Sequence, residues 1–419
     1  MNDERSSYAW YFYALMFGVA CAVLILPRPD IVTNAQPWAE DGAFWFRGVY
    51  ERGLSSLLLP ESGYYQTLSR SIWAVAMQFG LRRMALAATL IAVAMRAAFA
   101  TFLLSSRLKK FDLHYRLCAY FYLLLMPNLT EGYVSANTVH WHMCMYLLAT
   151  LLADEPKTPL WKAHDYALLF FGGLSGPFVL FMAPCLLLKR VSERGSLVKA
   201  VKGANAYDLA FALATGCQLV AVVFTADAIR SHAPLGATPT LIADIVSSRV
   251  IVGSFVPNEF FLRGQLHGAA FSWLGVVLLL VLLVYFFATT KSRTGAIILL
   301  FAVLVPAFGL MRPMISPTEP QLPLIITQRT AERYFFIPYF AFGLLAFFFV
   351  EKIGGWWNKT VRDAVVILIF VLLGANCRIP QLPDVGYKQA IERFDKAERG
   401  DTVMIPLAPP GWYMELMKK

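Results

Sequence analysis

The sequence contains few charged residues. Asp, Glu, Lys and Arg make up 15% of its 419 residues and hydrophobic residues 58%, whereas soluble domains carry roughly 25% charged residues. Uncharged runs such as AAFSWLGVVLLLVLLVYFF (269–287) approach the ~20 residues that cross the ~30 Å hydrocarbon layer of a bilayer. These features exclude a soluble globular domain and predict a membrane protein.

The sequence also lacks paired cysteines and nucleic-acid-binding motifs. Its six cysteines stand singly in or beside apolar runs and form no CxxC pair, which argues against a disulfide framework or a zinc site and predicts buried free thiols. The net charge of +10 is interpreted as basic loops that face anionic lipid or phosphate. Membrane lipid is therefore an expected partner, and nucleic acid is not.

Hydropathy predicts an all-α polytopic fold with about eleven transmembrane helices, within a range of about ten to twelve. The predicted helices lie near residues 8–27, 84–104, 116–130, 138–153, 164–176, 177–189, 205–226, 269–290, 295–311, 333–350 and 362–377. The segment 66–80 is too short and too polar at its start for a confident span, so we predict a juxtamembrane or re-entrant helix there.

Short loops rich in Lys and Arg indicate the orientation. Placing the four basic loops in the cytoplasm puts the N-terminus inside and the C-terminus outside; these loops are 105–116, 189–202, 291–293 and 351–362. The extramembrane mass then lies outside. The predicted organisation is a transmembrane domain (1–377) with interfacial helices in its outer loops, followed by a small outer-face tail (378–419) that contains two short strands around Pro-Pro-Gly. The outer loops are 28–83, 227–268 and 312–332.

The most informative motif is PWAEDGAFWF (37–46), directly after the first predicted helix. It places two acids, Glu40 and Asp41, beside the bilayer. One interpretation is that an acid caps an amphipathic interfacial helix. The other is a general base, because a positioned carboxylate that takes a proton from a hydroxyl accelerates transfer by about 10²–10⁴-fold, and low dielectric raises its pKa. Both interpretations remain open, with Asp41 slightly favoured as the base.

With one helix, a long first outer loop carrying this acidic motif, interfacial helices and many further spans, the chain resembles the GT-C superfamily of glycosyltransferases. The resemblance is topological over most of the chain and lies at the level of a motif in the first loop. Within the superfamily, the chain is similar in size to the bacterial enzymes that convert serotype by glucosylating O-antigen in lipopolysaccharide.

The resemblance implies an integral-membrane glycosyltransferase. It would move a sugar, glucose in the narrower group, from a polyprenyl-phosphate donor such as undecaprenyl phosphate to a glycan or glycolipid acceptor. The reaction would take place on the periplasmic face of the bacterial inner membrane. Glu40 or Asp41 would act as base, and direct displacement would invert the sugar carbon.

A departing lipid phosphate requires cations. Arg329 and Arg333 are spaced i, i+4 at the outer end of the tenth predicted helix, where both guanidinium groups could share one face and bind phosphate through two hydrogen bonds each. Arg263 and Arg70 are secondary candidates. Alternatively, Glu332 pairs with a neighbouring arginine, or the arginines reach lipid headgroups.

Further residues are expected to contact substrate or to form an interfacial aromatic belt; they are Trp38, Asn137, His140, Trp141, His142 and Glu259. On a helix, His140 and His142 diverge by about 200°, so their spacing does not favour a metal site. No cofactor is predicted, although a divalent metal remains an open alternative.

Two other functions share this membrane organisation. A flippase or transporter of a lipid-linked sugar would need polar residues along the middle of the membrane, and the predicted helices offer little beyond Arg96 and Asp208. A polymerase or ligase of lipid-linked glycans would use the same substrates and the same outer surface.

Overall fold

The computed structural model describes residues 9–225, 231–257, 268–327, 331–356, 358–375, 377 and 379–419. In chain order the helices are α1 (Trp10–Ile25), α2 (Asp30–Thr33), α3 (Arg47–Arg52), α4 (Thr67–Ala76), α5 (Met84–Leu103), α6 (Leu113–Leu125), α7 (Val139–Leu152), α8 (Pro159–Gly173), α9 (Phe178–Arg194), α10 (Leu197–Lys202), α11 (Ala206–Thr225), α12 (Pro239–Asp244), α13 (Ala269–Thr290), α14 (Arg293–Met311), α15 (Gln321–Thr327), α16 (Phe336–Trp356), α17 (Lys359–Ala375) and α18 (Tyr387–Lys396). Two antiparallel hairpins pair β1 (Pro60–Glu61) with β2 (Tyr64–Tyr65) and β3 (Thr402–Leu407) with β4 (Trp412–Met417).

Within the described residues, each of the eleven predicted segments contains a helix. Five helices are long and apolar enough to cross a membrane: Met84–Leu103, Ala206–Thr225, Ala269–Thr290, Arg293–Met311 and Glu332–Lys352. Other predicted spans are shorter, such as the 13 residues of α6, whereas a full crossing takes ~20. The chain is thus a helical membrane protein, and the number of eleven spans stays a prediction.

The segment 66–80 folds as the 10-residue helix α4 followed by a short 3₁₀ turn. A helix of this length rises about 15 Å, half of the hydrocarbon thickness. The prediction of a short helix is therefore confirmed. Its residues are mostly buried against neighbouring elements, so α4 is part of the protein interior.

Helix α5 carries a series of small residues that permits close helix packing. It buries Ala85, Ala88, Ala92 and Ala97, and it packs against α1, which buries Ala20. Apolar helices in lipid associate through close van der Waals contact, for which small side chains are suited. The pair α1–α5 therefore forms a firm support for the loop that follows α1.

The loops collect at two ends of the helix bundle. At one end, Thr67 N–H donates to Leu174 O (3.1 Å) and Gly176 N–H donates to Tyr65 O (2.9 Å), which joins the loop after α1 to the α8–α9 turn. We call this the acidic-loop end; it comprises residues 26–66, 126–138 and 174–177. At the basic-loop end, comprising residues 104–112, 153–158 and 291–292, Asp154 N–H donates to Arg107 O (2.8 Å).

The C-terminal residues pack on the acidic-loop end. The predicted strands around Pro-Pro-Gly are confirmed as β3 and β4, and α18 packs against β3. Ala39 N–H donates to Ala408 O (2.5 Å) and Ala408 N–H donates to Pro37 O (3.0 Å). The tail is thus hydrogen-bonded to the backbone that directly precedes Glu40, and it packs along one side of that loop.

A buried ion pair closes the basic-loop end. Arg107 donates to both carboxylate oxygens of Asp165, at 2.6 and 2.8 Å, and both side chains are buried. His164 Nδ1 lies 2.9 Å from Asp165 Oδ1, and Tyr146 OH lies 2.7 Å from His164 Nε2. This network ties α7 and α8 to the loop after α5.

Asp165→Ala should destabilise the fold strongly. It leaves the Arg107 guanidinium buried without its partner, which costs about 3–5 kcal/mol. A matched control is Glu51→Ala, which removes the exposed i, i+4 pair with Arg47 and should cost less than about 0.5 kcal/mol. Thermal unfolding in detergent measures both, and equal melting temperatures for the two variants would contradict the prediction.

Candidate active site at the acidic loop

The two adjacent carboxylates of the acidic loop lie in different environments. Ala39 takes a positive φ of 34°, and a π-helical turn runs from Asp41 to Phe46. This geometry directs Asp41 into the interior, where it is 2% exposed, and leaves Glu40 half-buried. Glu40 lies at the N-cap position of this turn and makes no capping hydrogen bond with its side chain, while Asp41 lies in the first turn, where a carboxylate can still interact with the helix N-terminus.

Asn137 orients the Glu40 carboxylate. Trp45 Nε1 donates to Asn137 Oδ1 (3.0 Å), and Asn137 Nδ2 donates to Glu40 Oε2 (3.0 Å). An indole N–H can only donate, so the Trp45 contact requires the amide oxygen of Asn137 to face it and leaves the amide NH₂ for Glu40. The structure therefore brings the predicted residues Glu40 and Asn137 together.

Burial dominates the chemistry of Asp41. Its Oδ1 accepts a hydrogen bond from Trp73 Nε1 (3.0 Å). Burial raises the pKa of Asp41 to about 7 and the neighbouring Glu40 charge adds to this rise, while the Trp73 hydrogen bond opposes it. A pKa near neutrality is the usual range for a general base or acid.

The open side of Asp41 is a small polar crevice of about 30 Å³. Its lining includes Arg28, Asp30, Trp38 and Trp73, so the predicted residue Trp38 borders the same space as Asp41. A cavity needs about 10–15 Å³ to hold a water. The crevice accommodates a water or two beside Asp41 but has no room for a sugar ring.

Arg70 is an interior residue and not an exposed phosphate contact. It is 3% exposed, it donates to Leu59 O (2.8 Å) and Ser56 O, and it lies 3.5 Å from a carboxylate oxygen of Glu61. Its guanidinium stacks 5.3 Å from the centre of the Trp45 ring. The two terminal nitrogens of its guanidinium are therefore directed to protein groups, whereas its Nε is buried without a hydrogen-bond partner. Arg70 supports the ring that orients Asn137.

Arg333 is engaged in an ion pair with Glu131, and its backbone N–H donates to the same carboxylate (3.2 Å). It lies in a 3₁₀ turn before α16. The Glu332 carboxylate accepts a hydrogen bond from Thr130 N–H (2.8 Å), which connects the turn before α16 to the loop after α6.

The remaining predicted site residues fall into two groups. Arg263, Arg329 and Glu259 lie outside the described residues. His140, Trp141 and His142 are buried inside the protein, so the alternative of a lipid-facing belt is wrong for them. Because His140 and Trp141 pack on Phe178 while His142 packs on Phe336, the two imidazoles face different neighbours.

Three residues of the site escaped sequence analysis: Trp73, Trp45 and Glu131. Each acts through a partner far away in the chain, such as Glu131 with Arg333 at a separation of 202 residues. The tryptophans in and near the acidic motif could have been predicted as hydrogen-bond donors to its acids. A buried carboxylate needs a donor, and an indole nitrogen supplies one.

Comparison with known proteins gives limited similarity. No protein-family model matches the sequence, and no curated protein matches it. Two crystal structures of the Archaeoglobus fulgidus oligosaccharyltransferase align at 13% identity. For the complex with Zn and sulfate the TM-score is 0.40, covering 91% of this chain and 56% of that chain. For the apo form it is 0.47, covering 94% and 60%. The chain thus spans less than two thirds of that protein, and similarity at this level does not establish a shared activity.

The raised pKa of Asp41 predicts a specific pH dependence of stability. Between about pH 4, where the unfolded carboxyl ionises, and about pH 7, the folded state holds a proton that the unfolded state has lost. The free energy of unfolding should therefore fall as pH rises through this window, on the order of 2–3 kcal/mol between pH 5 and 7.

Asp41→Asn should remove this contribution, because its amide is neutral throughout and its oxygen can still accept from Trp73. Melting temperatures of the wild type and the variant, measured from pH 5 to 8, should diverge in favour of the variant as pH rises. Parallel curves would contradict the assignment of a buried, protonated Asp41.

Proposed function

We propose that the chain is an integral-membrane glycosyltransferase that acts at its acidic-loop end. It moves a sugar, for which we propose glucose, from a polyprenyl-phosphate donor such as undecaprenyl phosphate to a hydroxyl of a glycan or glycolipid acceptor. The observation that carries the proposal is the pair of adjacent carboxylates, one oriented by Asn137 and one buried. A hydroxyl needs an oriented proton acceptor in order to attack, and this loop holds one in Glu40, which Asn137 orients.

Accessibility supports Glu40 as the proposed base. Asp41 is enclosed and its crevice admits only water, whereas Glu40 is half-buried and oriented through Asn137. Glu40 therefore contacts the acceptor hydroxyl. Asp41 is a positioning residue that holds the turn in place through its buried hydrogen bond with Trp73. This assignment differs from the slight preference for Asp41 that the motif alone suggested.

The transfer is a single displacement. The acceptor hydroxyl gives its proton to Glu40 while its oxygen bonds to the anomeric carbon of the donor sugar. The bond from that carbon to the phosphate oxygen breaks, and the electron pair leaves with the lipid phosphate, so the configuration inverts. Among the described residues, Arg333 is the cation that we propose to bind the leaving phosphate. Arg329 and Arg263 remain candidates for the same role.

The proposed location is a bacterial inner membrane, with the acidic-loop end and the C-terminus facing the periplasm. The support is the segregation of charge. The basic loops 105–116 and 291–293 adjoin the end opposite to Glu40, and Lys- and Arg-rich loops are retained in the cytoplasm. Polyprenyl-linked sugar at the periplasmic surface would then meet the acidic loop directly.

Glu40→Gln should reduce sugar transfer by about 10²–10⁴-fold, because the amide cannot take the proton. The assay uses purified protein in lipid vesicles with a panel of radiolabelled polyprenyl-phosphate sugars and a crude glycan acceptor. Asp41→Asn should lower transfer less, and Glu51→Gln is the matched control, an exposed acid of the same loop whose loss should leave transfer unchanged.

A different order of effects would overturn the assignment. If Asp41→Asn abolished transfer while Glu40→Gln retained it, Asp41 would be the base. Normal transfer by both variants would remove the mechanism. A folded wild type that moves intact lipid-linked sugar across the vesicle membrane without transferring it would favour the flippase, and products carrying many sugar units would favour the polymerase.

Asn137 should determine how well the Glu40 carboxylate is oriented for proton transfer. Asn137→Ala removes the donor and should lower kcat about tenfold with little change in KM, because the carboxylate loses its orientation. Asn137→Asp places a second negative charge against Glu40 and should move the acidic limb of the pH–rate profile to higher pH. Unchanged profiles in both variants would show that Asn137 has only a structural role.

A further inference from the structure

A large apolar cavity lies at the basic-loop end, opposite to the proposed active site. Its volume is about 570 Å³, within the roughly 300–1,000 Å³ of ligand pockets. Helices α5, α6 and α7 contribute to one side of the lining, and α13, α14 and α16 to the other. Representative apolar lining residues are Leu103, Ala119, Leu148, Phe286, Leu299 and Phe340.

Lysines lie among the polar lining residues of this cavity. Lys110 Nζ donates to Leu152 O (2.6 Å), and the Lys352 ammonium lies 5.6 Å from the centre of the Phe348 ring, which itself lines the cavity. Each ammonium has three donor hydrogens. Lys110 therefore keeps donor capacity beyond its bond to Leu152, and the Lys352 side chain is exposed.

The other charged residues of the lining are mostly directed to partners other than the two lysines. Glu351 pairs with Arg362 (3.2 Å) and with His114, which directs its charge to other partners. Arg116 donates to Leu104 O (2.8 Å) and Ser105 O (2.9 Å). Asp112 is an exposed residue at the start of α6. Among the lining residues, Asp112 is thus the exposed carboxylate beside the two lysines, and Asp154 and Glu193 outside the lining also attract Lys110.

We propose that this cavity binds one anionic phospholipid of the surrounding bilayer. Its acyl chain fills the apolar interior, and Lys110 and Lys352 bind its phosphate. Apolar cavities do not hold water, whereas hydrocarbon is abundant around a membrane protein, and lysines near a membrane surface attract anionic lipid.

The position of the cavity gives this lipid a structural role. Helices α13 and α14 are mostly exposed along their lengths, because only 11% and 22% of the residues in their most apolar 18-residue stretches are buried. An acyl chain between this hairpin and α5–α7 would supply contacts that the protein side chains leave unmade. The lipid therefore acts as a filler that joins the hairpin to the rest of the bundle, independently of the proposed transfer reaction.

The test uses the full chain reconstituted with equimolar phosphatidylglycerol and phosphatidylcholine of matched acyl chains, followed by native mass spectrometry after mild detergent extraction. We expect one retained phosphatidylglycerol per chain. Ala149→Phe, which fills the cavity from α7, should reduce retention at least tenfold. Lys110→Gln and Lys352→Gln should each reduce it about fivefold.

Matched controls are Lys109→Gln and Lys359→Gln, lysines of the same end that do not line the cavity; their retention should equal that of the wild type. Gel filtration and melting temperature verify that each variant is folded. Equal retention of phosphatidylcholine, or retention unaffected by Ala149→Phe and by the two lining lysines, would overturn the proposal. Displacement of phosphatidylglycerol by one equivalent of added polyprenyl phosphate would overturn the assignment to a phospholipid.

Discussion

The contact between the Asp41 carboxyl and the Trp73 indole is the constraint on which the candidate site depends. Adjacent residues on a regular helix diverge by about 100°, and Glu40 has helical backbone angles where the π-helical turn begins. With Asp41 held inside by Trp73, Glu40 faces a different direction, where Asn137 meets it. A single buried hydrogen bond thus separates two like acids into two environments, one enclosed and one accessible.

The turn is held in place by the C-terminal tail. Ala408 exchanges backbone hydrogen bonds with Pro37 and Ala39 on either side of Trp38, and the Leu407 side chain packs against the position where a Cβ of Gly42 would lie. Glycine at position 42 is therefore required for this close approach. The last residues of the chain and the first loop form one structural unit, although more than 350 residues separate them.

The sequence was informative where structure follows from local pattern. Apolar runs gave the positions of helices such as α5 and α13, and Pro-Pro-Gly between alternating apolar residues gave the β3–β4 hairpin. Asn137 lies two residues before α7, and its role as a substrate contact stays a prediction. Prediction was incomplete where a side chain finds a distant partner. The sequence predicted Arg70 and Arg333 as phosphate-binding candidates, but the burial of Arg70 beside Trp45 and the ion pair of Arg333 with Glu131 depend on loops that only the folded chain brings together.

This neutralisation of cations bears on how an anionic donor would bind. Arg28 pairs with Asp30, Arg70 with Glu61 and Arg333 with Glu131 at the acidic-loop end. A lipid phosphate would have to take Arg333 from Glu131, and a partly buried carboxylate left alone is costly. Because Thr130 and Glu131 are also bonded to Glu332, such an exchange would move the loop 130–131 together with the turn before α16. Donor binding at this site would thus be coupled to a rearrangement of two loops, and the cation would become available only when phosphate replaces the carboxylate.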